Sequence, residues 1–145
     1  MSWRDAVQPA LRVLLQGDSY TDPHLELLRL GVEHPEIAAE TIVVTLAVDG
    51  ALVTGTMVSA AAWEDLHVRQ LGEADYYGLR KVVREALGHL DQAAEDGRRR
   101  REVDRRFLHL RDVTYRAGRT VRALPLWRGP ITAVSGWTLG TPDPD

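Results

Sequence analysis

The chain has 145 residues, of which 44% are hydrophobic, and its 18 basic and 21 acidic residues give a formal net charge of −3. This balance is typical of a soluble globular domain, and the absence of cysteine excludes disulfides, thiol nucleophiles and cysteine-ligated zinc. No stretch provides the roughly 18 uncharged apolar residues of a transmembrane helix, and no signal-peptide core follows the N-terminus. We therefore expect a cytoplasmic protein with a single domain over residues 1–140 and a disordered tail over residues 141–145.

The N-terminal part of the chain predicts two helices. Apolar residues in residues 2–16 recur at steps of three and four, as on one face of an amphipathic helix. Asp22 and Pro23 are typical of an N-cap followed by proline at the first helical position. Several leucines follow until Gly31, which is a common residue at a helix end.

From Thr41 onward the sequence predicts a β-hairpin. Apolar side chains alternate onto one face of the first strand: Ile42, Val44, Leu46 and Val48. Asp49-Gly50 is a two-residue turn signal, because both central positions of such a turn favour a positive φ. The second strand is expected over residues 51–59. Gly55 in its middle indicates a bulge, a sharp bend or a close approach of another backbone.

Residues 75–95 form the strongest predicted helix. Its apolar side chains make one stripe with charged residues opposite, and we expect the strands to bury that stripe. The stripe comprises Leu79, Val82, Val83, Ala86, Leu87, Leu90, Ala93 and Ala94. Residues 63–71, by contrast, fit neither a helix nor a strand clearly.

Three further strands are predicted, over residues 107–115, 123–127 and 131–139, the last interrupted by Gly136. Pro130 indicates a sheet edge or a strand start. The expected fold is α+β: a small five-stranded antiparallel barrel with the strand rhythm of Sm-like or SH3-like barrels. The N-terminal helices would cover it, and the long helix would be inserted between strands two and three. Barrel closure would hide most strand edges.

In chain order, four stretches of the sequence resemble the gas vesicle accessory protein U (GvpU) family. They are residues 46–50 (Leu-Ala-Val-Asp-Gly), 55–60 (Gly-Thr-Met-Val-Ser-Ala), 107–112 (Phe-Leu-His-Leu-Arg-Asp), and 127–129 (Trp-Arg-Gly) continuing to 134–136 and 139–140. The resemblance implies a non-catalytic accessory that acts in the assembly, stabilisation or clustering of gas vesicles. Its implied partners are the vesicle shell or other gas vesicle proteins. The arginine-rich residues 98–106 depart from the family pattern.

No catalytic constellation accompanies these strands. The five histidines are scattered, without a His-x-x-x-His pair, so we expect no metal, and His109 should lie on a polar face of its strand. No serine has a Gly-x-Ser-x-Gly setting, and no Gly-Lys-[Ser/Thr] follows Gly55. We therefore predict neither enzymatic activity nor a cofactor. An enzyme would need converging carboxylates and histidines, which the sequence gives no reason to expect.

Candidate partner-binding residues come from the tryptophans and the arginine run. They are Trp63, Arg98, Arg99, Arg100, Arg101, Trp127 and Arg128. Trp63 follows an uncharged run and is the best candidate for an exposed anchor, whereas core packing is favoured for Trp127. Together these residues predict self-association and contacts that salt weakens.

An Sm-like RNA-binding module is the alternative interpretation. The arginine run, residues 98–101, could neutralise RNA phosphates. However, proteins that bind single strands usually stack bases on strand aromatics, and Phe107 is the only phenylalanine here. We therefore expect the run to be a surface charge cluster, or a patch that docks on an acidic partner, rather than a nucleic-acid site.

Overall fold

Five antiparallel strands and four α-helices form the described part of the chain, residues 22–38, 40–74, 76–97 and 107–142 of a computed structural model. The strands are β1 (Val43–Val48), β2 (Ala51–Met57), β3 (Phe107–Ala117), β4 (Thr120–Pro130) and β5 (Val134–Leu139). The helices are α1 (Pro23–Gly31), α2 (Pro35–Ala38), α3 (Ala60–Glu73) and α4 (Tyr77–Gly97), with a 3-10 turn at Ile131–Ala133. The predicted α+β class is confirmed. The predicted helix over residues 2–16 lies outside the described residues.

The strands follow the order β4-β3-β2-β1-β5, and each neighbouring pair is antiparallel. β1 and β2 form the predicted hairpin, in which Asp49 and Gly50 have φ values of 50° and 79°. Positive φ at both positions gives the turn a twist that matches the twist of the strands. A second tight turn, with φ of 59° at Gly118, joins β3 to β4.

The sheet is curved but not closed. β4 ends at Pro130 and β5 begins at Val134, so only four Cα–Cα links, at most about 15 Å, join the two edges. In a flat sheet the four strand spacings between them would measure about 19 Å, so the sheet must curl. Ile131–Ala133 is therefore a 3-10 turn rather than the predicted start of a strand. Among the described residues no ladder joins β4 to β5, and the predicted barrel closure is not observed.

A bulge lies between β2 and β3, where Gly55 indicated an irregularity. The register shifts between Thr54 and Thr56, so that Asp112 and Val113 of β3 both lie opposite Gly55. Asp112 is the extra residue and has a φ of 51°. The predicted bulge is therefore observed, and so is the close approach of another backbone, because a Cβ at Gly55 would lie 3.0 Å from the carbonyl oxygen of Arg111.

β4 is much longer than the predicted residues 123–127. Pro125 lies in its middle, where proline normally argues against a strand. The strand tolerates it for two reasons: β4 is an outer strand of the sheet, and Pro125 lies opposite the bulge residue Asp112, which the β3–β4 register skips. The missing N–H of proline therefore removes no bond from the ladder.

The core lies on the inner face of the curved sheet and against α1. It contains Leu25, Val32, Val44, Leu46, Val53, Met57, Leu108, Leu110, Val113 and Ile131. The alternation predicted for β1 is observed, because Val44 and Leu46 are buried in the core while Ile42 and Val48 pack against it. Leu110 and Val113 both face inward although they are three residues apart, since the bulge at Asp112 adds a residue between them.

Asp22 joins α1 to β5. One carboxylate oxygen accepts the backbone N–H of His24 at 2.8 Å, which caps the helix, and the other accepts the indole N–H of Trp137 at 2.8 Å. These two hydrogen bonds, that of Trp137 first, hold the pKa of Asp22 below its usual value of 3.8. The predicted cap is thus confirmed, and it also anchors the helix on the sheet.

Replacing Asp22 by alanine should therefore lower the free energy of unfolding by about 1 kcal/mol at pH 7. Because folding lowers this pKa, the ionised carboxylate stabilises the fold above 3.8, and that contribution disappears as the pH falls through the folded-state pKa. Urea titrations of both proteins at pH 7 and below pH 3.8 should show the difference shrinking in acid. Asp65→Ala, at an exposed position on α3, is the control and should change stability by less than about 0.5 kcal/mol.

Between β2 and β3 the structure describes two helices rather than the one that the sequence predicted. The ambiguous residues 63–71 belong to α3, whose N-cap Ser59 accepts the N–H of Ala62 at 3.1 Å. α3 packs on β3 and β4, and α4 packs mainly against α3. The expectation that the strands bury the α4 stripe is therefore wrong, because Leu79 and Val82 remain 52% and 63% exposed. In the described residues, no helix has the length and apolar character needed to cross a bilayer.

Candidate functional site

Five side chains meet where α3 lies against the outer face of β3 and β4. They are Trp63 and His67 of α3, Phe107 and His109 of β3, and Arg128 of β4, here called the Trp63 cluster. Trp63 and His67 are one helical turn apart. His109 and Arg128 are direct cross-strand partners, and Phe107 shares their face because it lies two residues from His109. Helix and sheet geometry thus bring the five together.

Trp63 lies at the centre of the cluster. Its ring stacks on His67, with centroids 5.0 Å apart and planes at 19°, and tilts against His109 at 5.5 Å and 57°. The side chain is half-buried, not exposed as the sequence predicted, because α3 turns it towards β3. Its indole N–H is buried and has no hydrogen-bond partner among the described atoms. Trp63 therefore supports the helix as well as lining the surface.

Arg128 contacts both His109 and Phe107 within the cluster. Its Nε–H donates to Nε2 of His109 at 3.0 Å, and its guanidinium carbon lies 4.1 Å from the centroid of the Phe107 ring. A guanidinium only donates, so Nε2 must accept and the imidazole carries its proton on Nδ1. His109 lies on the outward face, yet it is 5% exposed because Trp63 covers it, which corrects the predicted polar setting. Arg128 itself is exposed.

The other predicted site residues do not join this cluster. Trp127 pairs with Leu110 and therefore lies on the inner face of β4, where it packs against the core. Its ring covers Gly129, where a Cβ would lie 2.5 Å from the nearest ring carbon. This geometry agrees with the core packing that the sequence favoured. The arginine run, residues 98–101, lies outside the described residues.

Sequence reasoning missed His67, Phe107 and His109 as members of one site. The available signal was the alternation of Phe107 and His109 in β3, opposite an arginine in β4, but the register that aligns them is not local. Among the described residues, no group of three or more histidine, aspartate or glutamate side chains could hold a metal ion. What the cluster presents is a stacked aromatic surface beside a cation, which suits the binding of an acidic or aromatic group.

The comparisons with known proteins agree with the sequence motifs. A family model described as gas vesicle protein GvpU-like matches residues 25–142, which include most of α1, all five strands and the Trp63 cluster. No curated protein and no solved structure matches the chain. The family match covers most of the chain, and the protein therefore belongs to the GvpU-like family of gas vesicle proteins.

Proposed function

We propose that the protein is a non-catalytic gas vesicle accessory that acts in assembly, stabilisation or clustering. It would bind the vesicle shell or another gas vesicle protein and would associate with itself, in the cytoplasm. The observation that carries the proposal is the GvpU-like match over residues 25–142. The Trp63 cluster supports the binding part of the proposal, because it combines aromatic rings with an exposed guanidinium.

The proposed mechanism is multivalent binding. A vesicle wall repeats the same small protein many times, so individually weak contacts with the wall or between accessory molecules can add up to strong attachment. Arg128 and residues 98–101 would pair with acidic groups, while Trp63 would support the contact surface. Because salt screens exposed charges within about 10 Å at 0.1 M, this attachment should weaken as the salt concentration rises.

We also propose that the curled sheet can close into a small Sm-like or SH3-like barrel. The strong curl that the Ile131–Ala133 turn requires supports it. Closure would keep the long outer strand β4 from pairing with other copies, a contact that promotes aggregation. Self-association would then depend on side-chain surfaces rather than on strand addition.

Co-flotation with purified gas vesicles tests the proposed function. We expect the full chain to rise with the vesicles at low salt and to be released at high salt. Arg128→Ala should weaken the attachment at least about fivefold, equivalent to roughly 1 kcal/mol, because it removes the exposed cation of the cluster. Arg116→Ala, which removes another exposed arginine, on the neighbouring strand β3, is the matched control and should float normally.

RNA binding measured on the same preparations separates the alternative. A chain that stays in solution with vesicles present but binds RNA tightly, with a steep loss of affinity in salt, would contradict the proposal and favour the Sm-like module. Failure to float and failure to bind RNA would also contradict the accessory function.

A further inference from the structure

Helix α4 exposes basic and aromatic side chains on one face. Four exposed residues recur there at steps of four, three and four, which places them along one side of the helix: Tyr77, Lys81, Arg84 and Gly88. Arg80 and Glu85 flank this row, and with its first three side chains they line a groove of about 340 Å³, here called the α4 groove. The described lining of the groove thus contains three cations and one acid.

The cations of the α4 groove have no counter-ion in the part of the chain that the structure describes. None of the side chains of Arg80, Lys81 and Arg84 makes a hydrogen bond or an ion pair there. Arg80 and Arg84 are four residues apart, and like charges at that spacing destabilise a helix. Positive charge near the start of a helix also opposes its dipole. The three charges thus weaken α4, and a bound anionic group would offset their repulsion.

Arg80 is held in place by packing rather than by charge. It is half-buried, and its Nη1 lies 2.8 Å from the position that a Cβ of Gly72 in α3 would occupy. Glycine at this position therefore leaves room for the arginine side chain. Because the side chain is already ordered, it loses less freedom when it binds an anion. The planar guanidinium suits a carboxylate, with which it can form two parallel hydrogen bonds.

Gly88 is the second unusual residue of this face. Glycine in the interior of a helix is less stable than alanine, and a Cβ at Gly88 would meet nothing within 4 Å. No contact of α4 with the described residues therefore requires glycine here. A glycine on an exposed helix face does, however, allow the main chain of another segment to approach closely.

We propose that this face of α4 binds an extended acidic segment of a protein partner. Carboxylates of the segment would pair with the three cations, its main chain would pass close to Gly88, and Tyr77 would pack against it. From Tyr77 to Gly88 the face measures about 17 Å, the length of about five extended residues. The charge of the groove selects an acidic segment, and the exposed tyrosine and the room at Gly88 suit a peptide. The inference rests on the proposed binding function and adds a second docking surface to it.

Fluorescence anisotropy with the full chain tests this docking surface. The probe is a labelled peptide of alternating glutamate and alanine, and the same peptide with glutamine in place of glutamate is its uncharged counterpart. Wild-type protein should bind the acidic peptide and not the uncharged one. Lys81→Gln/Arg84→Gln should weaken binding about tenfold, because two exposed ion pairs are lost. Arg116→Gln/Arg119→Gln, which removes the same charge from the β3–β4 hairpin, is the matched control and should bind like wild type.

Gly88→Ala provides a measurement that a patch of charge alone would not change. Alanine should raise the midpoint of urea unfolding, because it is the better helix former. It should nevertheless weaken peptide binding at least about fivefold, because its methyl group would meet the main chain of the peptide. Gly78→Ala is the control, since this glycine also meets nothing within 4 Å but lies about 100° around the helix from Tyr77. It should leave binding unchanged.

Circular dichroism establishes that each variant is folded before its binding is interpreted. Equal binding of the two peptides, undiminished binding by Lys81→Gln/Arg84→Gln, or normal binding by Gly88→Ala would each overturn the proposal. Tighter binding of a single-stranded RNA of the same charge, lost in the same double variant, would overturn it by assigning the groove to nucleic acid. No vesicles are present in this assay. A failure here therefore leaves co-flotation untouched, whereas a chain that binds the peptide but does not float would contradict the proposed function alone.

Discussion

Leu46→Ala should lower the free energy of unfolding by about 3 kcal/mol, within the range of roughly 2 to 5 measured for buried leucines. Leu46 is 0% exposed at the centre of β1, and its cross-strand partners are Val53 in β2 and Trp137 in β5. Alanine would leave a cavity between three strands, which cannot collapse without breaking two ladders. A urea titration followed by circular dichroism measures the change, since the slope should stay constant while the midpoint falls.

Leu52→Ala is the matched control for this substitution. The same chemical change is made on the neighbouring strand β2, but Leu52 points to the outer face and is 40% exposed. Little apolar surface returns to water there, so the loss should be below about 1 kcal/mol. Equal losses at the two positions would mean that the core does not lie on the face of the sheet described above.

The parts of the fold that could be predicted from the sequence are those that adjacent residues determine. Alternation in β1, the Asp49-Gly50 turn and the Asp22-Pro23 cap are local patterns, so a few adjacent residues determine each of them. The length of β4 was not predictable, because Pro125 is tolerated only through the bulge in another strand. Helix α3 was not predictable either. Its first turn is rich in alanine, and which of its sides is buried depends on its packing against the sheet.

Two residues of the candidate site, Trp63 and Arg128, were predictable from the sequence, but the other three and the arrangement of the five were not. Trp63 and Arg128 stand out in the sequence because an isolated tryptophan and a cation beside a tryptophan are typical of contact surfaces. Their connection through His109 depends on the β3–β4 register and on the packing of α3. The apolar stripe of α4 was also predicted, but its periodicity could not show that α3 would cover only one side of it.

Gly55→Ala should destabilise the protein by about 2 kcal/mol, which is typical of overpacking in a tight core. The new Cβ would lie 2.8 Å from Cγ2 of Val113 and 3.0 Å from the carbonyl oxygen of Arg111. Neither can move easily, because a β-branched side chain has few rotamers and the carbonyl belongs to the bulged backbone. Gly136→Ala, in β5, meets nothing within 4 Å and should be neutral or slightly stabilising.

The double variant Gly55→Ala/Val113→Ala separates the two contacts. Val113→Ala alone leaves a cavity, but in the double variant the new methyl group occupies part of that space. The double variant should therefore lose less stability than the sum of the losses of the two single variants. Full additivity would show that Gly55 is required by the Arg111 carbonyl, and thus by the backbone of the bulge itself. In that case Gly55→Ala should also weaken flotation, because the bulge sets which β3 residues face inward and so turns His109 towards Trp63 and Arg128.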